Sequence, residues 1–401
     1  TWFDPPHGQF AIHRPGFQRM TAHRRPHVMH TFANNDGVPY LSWFMERAAL
    51  EGDVHFSFLI LFPTRPKMLE EIRSYGFECE WIKFDDKRRA SGMFWAVPKM
   101  WWHMMRYRPD IVHGHLFDDT LPAMVAAFLA RIKVRLFTRQ DSCFHWNYAP
   151  RWVFLDRLNA LLATRVIAVS EDTRTFTTEK EHLAASKVGM VHHGIPPGPF
   201  TTINENVKEK LRERFGLHNS FPVIGTVARF IEWKGYRHIV EAAGVIVKSY
   251  PNAKFLFCGS GPQRAEIEKR VKDSGLQEHV VFTGWVDRED VPSLYRTMDV
   301  YLHAADHEPF GFVFAEAMMS GVPVVSTRTG GFADVVKDDR TGVVVNERSG
   351  KELANGVLSL LKKDPVAVGR AGCELALDRF SFDRMWAGYM AEYRMALNTN
   401  G

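Results

Sequence analysis

The sequence predicts an α/β protein of two doubly wound domains, and three observations carry that prediction. Short apolar runs of strand length alternate with longer amphipathic segments along most of the chain, the pattern of parallel sheets covered by helices on both faces. The length of 401 residues exceeds what one hydrophobic core commonly serves. Near the middle, Pro196-Pro197-Gly198 reads as a stiff linker between two such series.

Residues 1–25 lack periodicity and are rich in Pro and Arg, so they read as an arm and not as a signal segment. The first domain opens with a strand over 27–33; Asn34-Asn35-Asp36-Gly37 then leads into an amphipathic helix over 40–50. The single Gly37 fits either an ordinary strand-to-helix turn or part of a ligand loop. Strands over 54–61, 78–84, 110–115, 134–138 and 165–170 follow, separated by helices over 67–75, 93–107, 120–130 and 151–163. That makes a domain of six or seven strands, with its boundary at 198. Side chains alternate along a strand, so His113 and His115 share one side. His115 stands at the carboxyl end, where doubly wound sheets bind ligands.

The second series begins with an apolar run over 221–228 and continues through Arg229-Phe230-Ile231-Glu232-Trp233-Lys234-Gly235 into a helix over 236–249. Arg229 and Lys234 lie just past a strand's carboxyl end, where two fixed cations can neutralise a diphosphate, the arginine as a bidentate fork and the lysine as a point charge. A strand over 255–259 ends in Gly259-Ser260-Gly261-Pro262, a turn that permits close backbone approach. Another over 280–286 ends at Val286, with Trp285 placed either to stack on a ligand or to pack.

A strand over 300–303 then runs through a polar loop into a helix over 312–319, followed by a valine-rich strand over 322–326 and the Gly330-Gly331 turn. Glu308 sits in the loop and Glu316 in the helix, with Gly311 between them. A loop entering a helix at Gly311 can aim free N–H groups and the positive end of the helix dipole at a phosphate. Carboxylates beside such a site suit a ligand that also carries sugar hydroxyls, because hydroxyls donate to them. Glu316 lies among Phe314, Ala315, Ala317 and Met318, where an unpaired charge is costly. A nucleotide sugar fits both features.

At these residues the chain resembles the retaining glycosyltransferases of family 4, through E-P-F-G-F-V-F-A-E with seven residues between the acids, G-V-P-V-V, and the Gly-Gly turn. The resemblance implies a GT-B fold, two doubly wound Rossmann-like domains facing each other across a cleft. It runs from residue 27 onward and is sharper after 221. It is carried further by P-D-I-V-H-G-H at 109–115, by the R-x(4)-K-G pair of Arg229 and Lys234, and by K-V-G-M-V-H-H-G before the linker. Departures are Ala304-Ala305 for the usual Pro-Ser, Asp334 for the usual Glu, and Thr138-Arg139-Gln140-Asp141 for a usual His-containing turn.

By resemblance, residues 26–198 bind the acceptor, 199–380 bind the donor, and a last helix in 381–401 crosses back to the first domain. A nucleoside-diphosphate sugar, with a UDP-sugar favoured, serves as co-substrate and no cofactor or metal is required; no D-x-D motif lies between apolar strands. Arg229, Lys234, Glu308 and His115 fall in catalytic positions. Gly259, Gly261, Val286, Phe310, Gly311, Phe312 and Glu316 bind the donor, and Gly37 and Asp141 face the acceptor. A GT-B epimerase or phosphorylase and a non-catalytic nucleotide-sugar binder are the alternatives.

Composition limits the partners. Hydrophobic residues make up 45% and charged residues 24%, an ordinary globular balance, and the formal charge is +5. Residues 1–198 hold 25 Lys/Arg against 20 Asp/Glu and 199–401 hold 26 against 26, so the excess lies in the first half. Without Lys/Arg runs this argues for an anionic acceptor or membrane face and not for nucleic acid. Cys79, Cys143, Cys258 and Cys373 are scattered without C-x-x-C spacing, as in a reduced cytoplasm, and no apolar run approaches a membrane span. Residues 81–108 interleave seven Lys/Arg with Trp95, Trp101, Trp102 and Tyr107. Such a segment suits a membrane interface and a glycan or lipid-linked acceptor, whereas core packing of Trp101 and Trp102 is the alternative.

Overall fold

The computed structural model describes residues 24–33, 39–85, 87–140, 144–337 and 339–400. Two parallel sheets organise them. In the first, β1 (His27–Ala33), β2 (His55–Phe62), β3 (Glu78–Lys83), β4 (Ile111–Gly114), β5 (Val134–Arg139), β6 (Arg165–Ala168) and β7 (Val188–Met190) lie in the order β3-β2-β1-β4-β5-β6-β7. In the second, β8 (Val223–Val227), β9 (Lys254–Cys258), β10 (Val280–Gly284), β11 (Val300–His303), β12 (Val324–Thr327) and β13 (Val343–Val345) lie in the order β10-β9-β8-β11-β12-β13. Strand order reverses between β1 and β4 in one sheet and between β8 and β11 in the other. Ligands enter doubly wound sheets at such switch points, beyond the carboxyl ends of the strands.

The apolar runs are continuous because helices cover both faces. Every residue of β1 is buried, as is every residue of β11 and β12. On one face of the first sheet Phe44, Phe56 and Phe58 form a core. On the other, Met93, Ala96, Met100 and Met104 of the helix Arg89–Tyr107 pack with Met124 and Phe137.

The chain differs from expectation in three places. The segment read only as an exit from the first domain contains β7, which pairs with β6; three residues are too few to show a period. The helix Arg89–Tyr107 begins four residues before the expected 93 and continues through Pro98. The helices Glu205–Arg214, Arg264–Asp273, Gly350–Lys362 and Pro365–Arg379, and β13, complete the second domain.

The chain passes between the domains twice, and the two passes lie side by side. Ile195 N–H donates to Phe380 O at 3.0 Å and Phe382 N–H to Ile195 O at 2.9 Å. Beyond that point the helix Phe382–Asn400 packs on the first domain, burying Trp386, Tyr389 and Tyr393. The Trp386 indole N–H donates to Glu51 Oε2 at 2.6 Å. Replacing Trp386 with Ala empties a site between Phe44 and Phe56, whose ring centroids lie 5.0 and 5.9 Å away. The expected cost is about 3–5 kcal/mol, read from urea unfolding, and a loss below about 1 kcal/mol would contradict this packing.

Candidate functional site

The switch point of the second sheet gathers the residues expected to meet a donor. β11 ends at His303, and the loop that follows carries Glu308 to Gly311, which stands at φ 84° at the start of the helix Phe312–Met319. A side chain at Gly311 would collide with Phe314 at 2.5 Å and with the Glu308 stem at 2.9 Å, so the residue must be small as well as left-handed. The loop is fixed from behind by Thr329 and the Gly-Gly turn. Glu308 N–H donates to Thr329 Oγ1 at 2.9 Å and Gly331 N–H to Phe310 O at 2.9 Å. A Cβ on Gly330 would lie 2.6 Å from Phe310 O and 2.7 Å from Glu308 O.

Lys234 reaches the same loop from β8. The turn Glu232–Lys234 ends at Gly235, φ 69°, whose missing Cβ would sit 2.0 Å from Ala304 O. Lys234 Nζ donates to Glu308 Oε2. His303 Nε2 lies 3.3 Å from that oxygen, off the axis of a good hydrogen bond. Burial raises the Glu308 pKa, but His303 and Lys234 outweigh it and hold the carboxyl at about 2. Glu308 is therefore a permanent carboxylate that accepts hydrogen bonds and cannot act as a general acid near neutral pH. The Arg229 side chain is exposed and makes no hydrogen bond or ion pair among the described residues.

Beside this pair lies a cavity of about 680 Å³. Val227, Cys258, Gly259 and Gly284 to Val286 form its apolar part; Glu316 and Arg288 supply charge, and Trp43 closes it from the first domain. Tyr295 Oη donates to Glu316 Oε2 at 2.8 Å. Burial pushes the Glu316 pKa up, against the pull of that hydroxyl and of Arg288. Trp285 is 78% exposed on the rim, so of its two roles it keeps the one open to a ligand.

Some residues sit differently from what the sequence suggests. The glycines of the β9 turn admit the chain's own backbone: a Cβ on Gly259 would lie 2.2 Å from Ala228 O and one on Gly261 2.4 Å from Phe230 O. Only Gly259 of the two also lines the cavity. Phe310 is buried against Phe380 and His193, so its ring supports the loop and does not face a donor. Phe312 is half-buried and stacks on His193 at 5.0 Å. Gly37 and Asp141 lie outside the described residues.

His115 follows β4 at the first sheet's switch point but is 2% exposed. Its ring stacks on Phe32 at 4.4 Å, and its Nε2 hydrogen-bonds His30 Nδ1 at 2.8 Å. His113 joins Tyr393 Oη at 2.7 Å and Thr138 Oγ1 at 2.9 Å. Burial holds all three imidazoles neutral, His113 at about 3. These histidines are the one cluster of metal-ligand type among the described residues. Yet the His30 and His115 nitrogens are closer than the about 3.3 Å that two ligands of one tetrahedral zinc would keep. The cluster reads as a hydrogen-bond network and not as a metal site. As a proton acceptor toward the cleft, His115 is sealed from solvent by Phe32 and the strand neighbours that the sequence places far from it. Asp119, four residues on, accepts from His115 N–H at 3.0 Å and from Thr31 Oγ1 at 2.7 Å, and burial raises its pKa to about 7.

Sequence reasoning missed His303, Tyr295, Thr329, Arg288 and Trp43. Each reaches the site from another element, and no spacing links them to Glu308 or Glu316. The low Glu308 pKa carries a stability consequence. Its folded value lies below the unfolded one, so its contribution is complete above about pH 5 and is lost as pH falls toward 2. The melting-temperature gap between wild type and Glu308→Gln is expected to shrink as pH falls from 6 to 3, and a gap constant with pH would contradict the ion pair.

Comparison with known proteins agrees with this architecture. The family model described as glycosyl transferases group 1 matches residues 207–370, and the one described as glycosyltransferase family 4 matches 49–198. A 2-deoxystreptamine glucosyltransferase of Streptomyces kanamyceticus is 29% identical over 307 residues, 73% of this chain and 79% of that protein. A GDP-mannose-dependent alpha-(1-6)-phosphatidylinositol monomannoside mannosyltransferase of Mycolicibacterium smegmatis is 30% identical over 56% of this chain, which spans 62% of that protein's length. Among solved structures, Alr3699/HepE of Anabaena in complex with UDP superposes with a TM-score of 0.76 at 20% identity, over 92% of this chain and 99% of that one. With one model on each domain and the same two-domain architecture throughout, the chain belongs to the group 1 glycosyltransferases of the family 4 type, with the GT-B fold.

Proposed function

We propose that the enzyme transfers a hexosyl group from a nucleoside-diphosphate sugar to a glycan or lipid-linked acceptor, with retention and without a metal ion. The observation that carries this reading is the Lys234–Glu308 pair at the mouth of the Gly311 helix, beside a cavity with Glu316 on its wall. In this structure the phosphate-seeking cation and the hydroxyl-seeking carboxylate satisfy each other. A diphosphate entering between Arg229, Lys234 and the amides after Gly311 takes the lysine, and Glu308 is left to accept from sugar hydroxyls. The base fills the apolar part of the cavity, and the ribose hydroxyls donate to Glu316.

As the bond from the anomeric carbon to the β-phosphate oxygen breaks, that oxygen gains charge, which the two cations and the amides stabilise. The acceptor oxygen attacks from the face that the leaving group vacates, and its proton passes to the departing phosphate. UDP is the nucleotide we favour because solved proteins of this fold hold UDP and UDP-glucose. The mannosyltransferase relative is named for GDP-mannose, so GDP is the competing outcome.

For the acceptor side we favour a lipid-linked substrate met at the inner face of an anionic membrane. Among the described residues no helix is long and apolar enough to cross a membrane. Cys79, Cys258 and Cys373 are free thiols, which fits a reduced compartment. The helices Arg89–Tyr107, Phe117–Leu129 and Val153–Leu162 share one side of the first sheet and hold nine of the seventeen exposed large apolar side chains among the described residues, Trp95, Trp101 and Trp102 included. Every acid on these helices, Asp118, Asp119 and Asp156, is buried. Lys99, Arg106 and Arg157 face solvent there, and Arg131, Lys133 and Arg151 lie next to them. Exposed rings among cations with no exposed acid are the composition of an interfacial surface.

Arg229→Ala and Lys234→Ala are each expected to slow turnover of UDP-glucose by about 10²–10³-fold, while wild-type turnover persists in EDTA. Wild-type rates in either variant, or loss in chelator restored by Mg²⁺, would overturn the reading. Sedimentation with phosphatidylglycerol vesicles tests the membrane face. Binding at low salt should fall at high salt and on replacing Lys99, Arg106, Arg131 and Lys133 with Ser; binding indifferent to both would exclude this surface.

A further inference from the structure

The two domains exchange carboxylates. Asp172, in the first turn of the helix Glu171–Thr175 after β6, accepts from Gly330 N–H at 3.2 Å. Asp334, in the helix Gly330–Val335 of the second domain, accepts from Glu171 N–H at 2.8 Å. Each acid therefore sits at the N-terminal end of the other domain's helix, where unpaired N–H groups and the helix dipole favour a negative charge. His192, on the segment joining the domains, places Nε2 2.8 Å from the same Asp334 oxygen. The Asp334 side chain is only 10% exposed, so these bonds are shielded from water.

The segment gripped in this way is the one that fixes the Glu308 loop. Thr329 Oγ1 accepts from Glu308 N–H, Gly331 N–H donates to Phe310 O, and Gly330 lies against the Glu308 and Phe310 carbonyls too closely for any side chain. A displacement of residues 329–331 must therefore move Glu308. We infer that Asp172 and Asp334 are positioning residues, which tie closure of the acceptor domain to the placement of Glu308 against the donor. No sequence pattern links the two ends of the clasp, because Asp172 and Gly330 are far apart in the chain.

The structural half of this inference stands by itself, and only the kinetic half rests on the proposed transfer reaction. The experiment compares Asp172→Ala, Asp334→Ala and the double variant with Asp172→Asn, whose amide oxygen can still accept from Gly330. Small-angle scattering of the free protein should show a larger radius of gyration for the double alanine variant than for wild type. With UDP-glucose as donor, Asp172→Ala should lower kcat about tenfold, the scale of one lost hydrogen bond to a charged group, and Asp172→Asn should recover most of it. UDP affinity, read by calorimetry, should change less than twofold in all variants, because neither acid nor residues 329–331 line the nucleotide cavity. An unchanged radius of gyration in the double variant overturns the clasp. So does wild-type kcat in Asp172→Ala, or a fall in UDP affinity equal to the fall in kcat, which would mark a local defect of the donor loop. If wild type does not turn over UDP-glucose, the choice of that donor fails separately and the scattering comparison alone decides the clasp.

Discussion

The contact between Lys234 and Glu308 is the constraint around which the second domain is arranged. A lysine and a glutamate this deep are tolerable only together, since either one left unpaired would be a desolvated charge. Bringing them together requires backbone that no side chain could allow. Gly235 has to rest on the Ala304 carbonyl so that the β8 turn reaches the β11 loop. Gly311 must turn left-handed under Glu308, and Gly330 must nest against two loop carbonyls. A cation at the start of a helix and a carboxylate held ionised at about pKa 2 are both more useful to a sugar diphosphate than to each other.

The first domain adds a different kind of order. Its switch point is filled by a dry network of His30, His113, His115, Thr138 and Tyr393, in which the histidines stay neutral. Tyr393 belongs to the helix that has crossed back from the second domain, so this network is completed only when the chain's last segment docks. Trp43 reaches the other way, with Arg288 stacked over its ring at 5.5 Å on the wall of the cavity that Glu316 lines. With the exchanged carboxylates of Asp172 and Asp334, these contacts make the two domains partners in one site.

Much of this could be read from the sequence, for identifiable reasons. Parallel strands buried on both faces must be apolar throughout, so β1, β2, β11 and β12 stand out, while Val188–Met190 is too short to do so. Glu308, Gly311 and Glu316 were legible because a strand, a loop and a helix put them in fixed relation within one segment. Their partners Tyr295, His303 and Thr329 were not, since contact across elements leaves no local period. Glycines were legible as places of close approach, but not for what approaches: Gly259 and Gly261 receive Ala228 and Phe230. The position of His115 was clear from strand alternation, whereas its burial depends on Phe32 and His30 of another strand. Trp101 and Trp102 could be placed in the core or on the surface by composition alone, and only the buried Met93, Ala96, Met100 and Met104 stripe on the opposite side of their helix decides it.

The claim most open to direct measurement is that Lys234 changes partners. A crystal structure of the protein with UDP bound should show Lys234 Nζ within hydrogen-bonding distance of a β-phosphate oxygen, separated from Glu308, with Glu316 accepting from the ribose hydroxyls. An intact Lys234–Glu308 pair with the diphosphate bound elsewhere would contradict the account.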